Sequence, residues 1–173
     1  MKQHLNKNIS YTHDELKFKY RVVGIAIHDE RTLLSRLETE DFWAFPGGKA
    51  KFFEESVETL RREMKEELGT QVKIDRLLFA VENFFEDGKK HCHEIAFYYL
   101  IEFLDATIAR HTQPFYGIEE VEVGVPSKLV FQWFPIDGLE TMTVYPSFLK
   151  TALKQLPSHT QHLVVNEIKK SNF

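Results

Sequence analysis

Gly48 to Thr70 reads GKAKFFEESVETLRREMKEELGT. Within it Gly48, Glu54, Arg62, Glu63, Met64, Glu66, Glu67 and Gly69 stand at the spacing G-x5-E-x7-R-E-U-x-E-E-x-G, with U an apolar residue. On ordinary amino-acid usage such a match arises by chance well below about once in 10^5 chains. No Pro or Gly interrupts Ser56 to Leu68, and Val57, Leu60, Met64 and Leu68 recur at steps of three, four and four, which predicts an amphipathic helix. At about 100° per residue these four side chains make one stripe. Glu63 and Glu67 lie one turn apart beside it and Glu66 on the adjoining arc, so three carboxylates converge on one side.

Like charges three or four residues apart cost a few tenths of a kcal/mol each on an isolated helix, so the crowding calls for a cation. Carboxylate oxygens are hard ligands and select Mg²⁺ or Mn²⁺, and Mg²⁺ keeps waters and substrate phosphates as its other ligands. Before the helix runs Phe45-Pro46-Gly47-Gly48-Lys49-Ala50-Lys51, read as a loop whose two glycines permit positive φ and close backbone approach to a ligand. Lys49 and Lys51 add positive charge to it. After the helix, Gly69 is placed to stop it beyond Leu68. A Glu-rich helix is ordinarily a solvated surface; the fixed spacing argues against that here.

The spacing resembles the Nudix box, the signature of hydrolases of nucleoside diphosphates linked to another moiety. Thr70 departs from it, standing where the family has an aliphatic residue. The resemblance implies an α+β Nudix fold, a mixed β-sheet sandwiched between α-helices, over roughly Arg21 to Leu156 of one domain spanning residues 1–173. It further implies Mg²⁺-dependent attack of water on a diphosphate phosphorus, with Mn²⁺ as a substitute metal. Glu63, Glu66 and Glu67 would bind the metal and, with Arg62, form the catalytic set. Arg62 would orient the box glutamates and Glu54 would brace the loop. Gly47, Gly48, Lys49 and Arg36 would meet the substrate. Nudix enzymes often take a further carboxylate from outside the box, and Glu94, Glu119, Glu120 and Glu122 are rival candidates. The resemblance also allows a homodimer.

At 43% hydrophobic, 173 residues can bury one substantial core. No apolar run approaches the roughly 18 residues needed to span a bilayer, and the first twenty are too polar for a signal peptide, so no membrane partner and a cytoplasmic location are expected. Cys92 is the only cysteine, which rules out an intrachain disulfide. Of the net charge of −4, Glu54 to Glu67 alone supplies −3: six Glu against Arg61, Arg62 and Lys65. A small nucleotide is the expected partner and nucleic-acid polymer is not, because no basic stripe is interleaved with aromatics.

Lys19 to His28 (KYRVVGIAIH) reads as a buried strand, followed by a turn at Asp29-Glu30 and a second strand over Thr32 to Arg36. Val72 to Phe85 and His93 to Phe103 read as strands joined at Asp87-Gly88, and Val130 to Phe134 as another. Pro146 to Leu156 reads as a second helix ended by Pro157, and Leu163 to Ile168 as an edge strand. His91, Cys92, His93 and Glu94 are not a metal cluster if extended, because alternate residues then face opposite ways. Most aromatics read as core; Phe84, Phe85, Phe115 and Tyr116, in or near expected loops, are candidates for stacking on a base.

Family members that cleave ADP-ribose tend to carry a proline some sixteen residues past the box, and none occurs between Gly48 and Gln113. The pattern typical of coenzyme A pyrophosphatases is incomplete around Leu33-Leu34-Ser35-Arg36. A nucleoside triphosphate or another nucleotide-linked diphosphate stays open. The alternative from another class is a noncatalytic Nudix-like module that binds a nucleotide and regulates a partner; such modules usually lose box glutamates, and this chain keeps them all.

Overall fold

The computed structural model describes residues 7–119 and 127–168. The elements in chain order are β1 (Ser10–His13), β2 (Leu16–His28), β3 (Arg31–Leu37), β4 (Trp43–Ala44), β5 (Gly47–Lys49), α1 (Ser56–Leu68), β6 (Val72–Asp87), β7 (Lys90–Phe103), α2 (Ala106–Ala109), β8 (Phe115–Glu119), β9 (Ser127–Pro135), β10 (Val144–Tyr145), α3 (Leu149–Ala152) and β11 (Gln161–Asn166), with a 3₁₀ turn over Ile136–Thr141. The sheet runs β10-β4-β3-β2-β7-β6-β11, with β1 and β5 also on β2, β9 on β3, and β8 on β9. It is mixed: β2 with β7 and β6 with β11 are parallel, whereas β6 with β7 and β3 with β9 are antiparallel. The class is α+β.

Both faces of this sheet are covered, which is why β2 reads as a continuous apolar run. Val22 and Ala26 point to the face on which Leu60 and Met64 of α1 are fully buried, with Val57 and Leu68 packed around them. Each of those two fully buried side chains contributes about 1.5–3 kcal/mol. Val23 and Ile25 point the other way, to Leu139 of the 3₁₀ turn and to Leu149 and Leu153 in and just beyond α3. The helix stops where expected: Gly69 adopts φ 66°, and its N–H donates to the Lys65 carbonyl. Thr70 is buried, its hydroxyl donating to the Gln71 carbonyl.

Asp29 and Glu30 both have left-handed φ (48° and 57°), the pairing that a two-residue hairpin turn requires. β2 and β3 pair next to that turn, at Ile27↔Thr32 and His28↔Arg31. They then part: β2 takes β5 through Arg21 to Val23, and β3 takes β9 over its whole length. The sheet therefore opens into a wedge between β2 and β3.

Four expectations need correction. Gly47-Gly48-Lys49 is not loop but the strand β5, its extended backbone held by pairing with distant β2. The second helix is confined to Leu149–Ala152; i→i−3 bonds from the Leu149, Lys150, Thr151 and Lys154 amides tighten it at both ends, and the Ser147 N–H is taken by the Glu167 carboxylate. The β6–β7 turn is Gly88-Lys89, one residue later than expected, with Gly88 at φ 62° and Asp87 paired to Lys90. Phe115 and Tyr116 lie within the strand β8, where no strand was expected, whereas Phe84 and Phe85 lie in a strand as read.

Candidate active site

Arg62 is the centre of the box. Its Nε and Nη2 donate to the two Glu54 oxygens at 2.8 and 2.9 Å, its Nη1 to Glu63 Oε1 at 2.6 Å and Glu66 Oε2 at 3.0 Å, and its Nη2 to the Lys49 carbonyl at 3.1 Å. Helical spacing sets the reach to Glu66, one turn on. One guanidinium thus joins α1 to β5 and to the segment between them. Glu54 is gripped further by the Thr59 hydroxyl (2.8 Å) and the Lys51 amide (3.2 Å).

Burial pushes the Glu54 carboxyl up, but the bonds from Arg62, Thr59 and Lys51 outweigh it and hold the group down at about 2, from 4.5. The opposing partner, Arg62, is raised. Glu63 behaves differently: burial pushes its carboxyl up, Glu66 adds to that, and Arg62 only partly offsets it. A group with a depressed folded pKa contributes stability that is present above the unfolded value and lost as pH falls. For Glu54 that window runs from about 4.5 down to about 2. The raised Glu63 has the opposite sign, losing stability as pH rises. We expect Glu54→Gln to flatten the acid limb of stability between about pH 4.5 and about pH 2; urea midpoints at about pH 5 and about pH 3 check it, and an unchanged acid limb would refute it.

The two glycines of β5 do different work. At Gly47 φ is 144°, and a Cβ there would stand 2.2 Å from the Val22 carbonyl oxygen. At Gly48 a Cβ would meet only the Glu63 carboxylate, its Cδ at 2.1 Å. The close approaches are to the chain's own β2 and α1. Backbone cannot yield and a flexible side chain can. Gly47→Ala is therefore expected to lower the melting temperature by more than about 5 °C, at 2–4 °C per kcal/mol for a chain of this size. Gly48→Ala should keep its melting temperature within about 3 °C, yet lose activity because Glu63 must leave its place. Thermal melts of the two variants, beside their turnover, separate these outcomes.

The three box glutamates do not share one environment. Glu67 is buried and lines a cleft of about 590 Å³ in the wedge between β2 and β3, together with Lys19, Arg21, Gly47, Asn83, Phe85 and Tyr98. Glu63 is mostly covered, its side chain 14% exposed, whereas that of Glu66 is 55% exposed. Glu54, Arg62 and Glu66 line a separate, open groove of about 700 Å³ on the solvent side of α1. The cleft is the better substrate site, having cations at one part of its wall and aromatic rings at another. Among the described residues, no three His, Cys, Asp or Glu stand together as a ready-made metal cluster. Here the countercharge between Glu63 and Glu66 is Arg62. By donor chemistry the residues fit a hard divalent ion: all are carboxylate oxygens, and the missing Gly48 side chain leaves the space that the Glu63 carboxylate fills.

Arg36 lines the cleft, but its Nη1 donates to the carbonyls of Leu37, Glu38 and Glu40 and its guanidinium lies over Trp43, so it ties the β3–β4 connection. Lys49 stands opposite Arg21 in the β2–β5 register. Glu94 is buried between Lys19 Nζ (3.0 Å) and Asn83 Nδ2 (3.4 Å). Glu119 ends β8, while Glu120 and Glu122 lie outside the described residues. Phe84 packs on His93, Phe115 stacks on His111 and Phe131, and Tyr116 is exposed. His91 and His93 face out and Cys92 and Glu94 in, as extended alternation requires.

Sequence reasoning missed Lys19, Arg21 and Asn83. The signal was present: in KYRVVGIAIH the two cations sit at i and i+2 and continue the face of Val23 and Ile25, so they had to point toward a buried surface.

Known proteins share this fold. A 30%-identical stretch of 78 residues is shared with an 8-oxo-dGTP diphosphatase of Buchnera aphidicola subsp. Schizaphis graminum, covering 43% of this chain; the chain spans 60% of that relative's length. Among solved structures, a UDP-X diphosphatase superposes with TM-score 0.58 at 23% identity, over 88% of this chain and 68% of that one. A MutT protein from Bacillus halodurans superposes with TM-score 0.55 at 19% identity, over 86% and 91%. These two likenesses establish the fold. Among the described residues no helix is long and apolar enough to cross a membrane. The family model described as NUDIX domain matches residues 18–152, most of the chain and all of the box, and the chain belongs to that family.

Proposed function

We propose that the chain is a divalent-metal-dependent pyrophosphohydrolase that cleaves the diphosphate linkage of a nucleoside diphosphate derivative by attack of water on phosphorus. The observation that carries this reading is the Arg62 guanidinium fixing Glu54, Glu63 and Glu66 while Glu67, on the same helix, reaches the cleft.

Glu63, Glu66 and Glu67 would hold the metal. Bound there, Mg²⁺ or Mn²⁺ would neutralise phosphate oxygens, activate the water and stabilise the leaving phosphate. The protein's own part is placement and charge. Arg21, whose Nη2 donates to the Gly47 carbonyl at 3.1 Å, sets a cation in the cleft wall beside β5, where a phosphate is attracted. Gly47, Gly48 and Lys49 bring the β5 backbone to the same place. The proton of the attacking water goes to a glutamate oxygen. Glu94 is poorly placed for that, since Lys19 and Asn83 already hold its oxygens. Phe85, partly exposed on the cleft wall, offers a ring suited to a base.

The test is hydrolysis of nucleoside triphosphates, nucleotide sugars, ADP-ribose, dinucleoside polyphosphates and NADH, with and without Mg²⁺, against the Glu66→Gln/Glu67→Gln double variant. Metal-dependent release of a nucleoside monophosphate that the double variant lacks supports the proposal. Turnover that ignores both metal and variant would overturn it.

A further inference from the structure

Asn83 of β6 is 4% exposed and lines the cleft, and its Oδ1 is buried with no hydrogen-bond partner. Its orientation is fixed by its neighbours. Glu94, ion-paired to Lys19 at 3.0 Å, offers only acceptors, so the Asn83 NH₂ group must turn to it, as the 3.4 Å contact from Nδ2 to Oε1 shows. Lys19 is in turn braced over the Phe85 ring at 4.8 Å. Strand pairing brings these groups together: Asn83 faces Glu94 across β6–β7, and Glu94 faces Lys19 across β2–β7. The result is a rigid, buried carbonyl acceptor in the wall of a ligand-sized cavity. Such a group is held unsatisfied at a cost unless a donor arrives.

From this cluster we infer that Asn83 Oδ1 is the specificity-determining acceptor for the nucleobase, taking a hydrogen bond from a base N–H at the end of the cleft away from the phosphates. The inference rests on the pyrophosphohydrolase reading. Charge argues for the polarity of binding: Glu94 and Lys19 pair at 3.0 Å and largely cancel, so the anionic end lies toward Arg21 and Gly47 and the neutral end meets Asn83. The flanking Phe85 ring is suited to a flat base. A sugar hydroxyl could satisfy the same acceptor, and the experiment separates the two.

The variant is Asn83→Leu, close in size and unable to accept. The probes are ATP, GTP, CTP, UTP and base-free ribose 5-triphosphate, with Mg²⁺, together with methylene-bridged triphosphate analogues whose binding is measured by calorimetry. Expected are a 10- to 100-fold rise in KM for the preferred nucleotide with kcat within about threefold, and collapse of the preference among bases. No change is expected for ribose 5-triphosphate, and the melting temperature should stay within about 4 °C of the parent's, because the loss of the long bond to Glu94 offsets the removal of an unsatisfied oxygen. An equal KM rise for ribose 5-triphosphate assigns the donor to the sugar and overturns the base assignment, as does an unchanged base preference. If no triphosphate is turned over, the analogues decide: loss of base discrimination in Kd upholds Asn83, unchanged discrimination overturns it, and the hydrolase reading is decided separately by the wider substrate panel. Should Asn83→Leu not fold, Asn83→Ser is measured in the same way, and retained base preference there overturns the inference.

Discussion

Replacing Glu67 with Gln is expected to lower kcat at least about 10²-fold while the protein stays folded. The exchange keeps the size of a buried side chain and removes its charge and one strong acceptor oxygen. Among the three box glutamates only Glu67 lines the cleft, so its loss touches the reaction directly, whereas Glu66 is half exposed and shares Arg62 with two other carboxylates. The same exchange relieves a crowded acidic arc and the burial of a charge, so the melting temperature should hold or rise. The two readouts move apart, which a general folding defect cannot imitate. Normal metal-dependent turnover by Glu67→Gln would remove the residue from the mechanism.

Arg62→Met should cost both stability and activity. It deletes donors to Glu54, Glu63, Glu66 and the Lys49 carbonyl, leaving two mostly covered carboxylates without their countercharge. Breaking a buried pair costs 3–5 kcal/mol, and the partial exposure here scales that to about 2–4 kcal/mol. In a chain of this size the melting temperature falls by roughly 5–15 °C. Arg62→Lys restores the charge but not the planar fork that reaches Glu54 with two nitrogens, so it should recover part of the stability and little of the turnover. A melting temperature for Arg62→Met within about 1 °C of the parent would show that the network is not structural.

What could be read before the structure was whatever local periodicity encodes. The helix from Ser56 to Leu68, its apolar stripe and its Gly69 stop follow from steps of three and four and from one permissive residue. The long strands follow from β-branched runs, and the opposite facing of His93 and Glu94 from alternation alone. What could not be read depends on partners far along the chain. Gly47-Gly48-Lys49 carries no strand signal of its own and is extended because Val22 and Val23 present an open edge. Leu149 and Leu153 sit at helical spacing and are both buried, yet the flanking residues are tied by i→i−3 turns and by Glu167, so the pattern promised more helix than forms. The site that Lys19, Arg21 and Asn83 share was hidden for a related reason, although alternation points the two cations inward. Their common wall exists only once β2, β7 and β6 lie side by side.

The parting of β2 from β3 has a mechanical side. Each strand is stiffened by a long ladder, β2 by β7 and β3 by β9, but the two are joined at two residue pairs beside the Asp29-Glu30 turn. That short hinge is braced by side chains: Leu33 and Leu34 of β3 share the two cores with Val22, Val23 and Ile25 of β2. The seven residues of β3 extend about 23 Å at 3.3 Å per residue, so a rotation of about 5° at the hinge moves the far rim by roughly 2 Å. That is enough to change whether a ring or a water fits between the two strands, so the width of the cleft depends on how tightly those side chains pack.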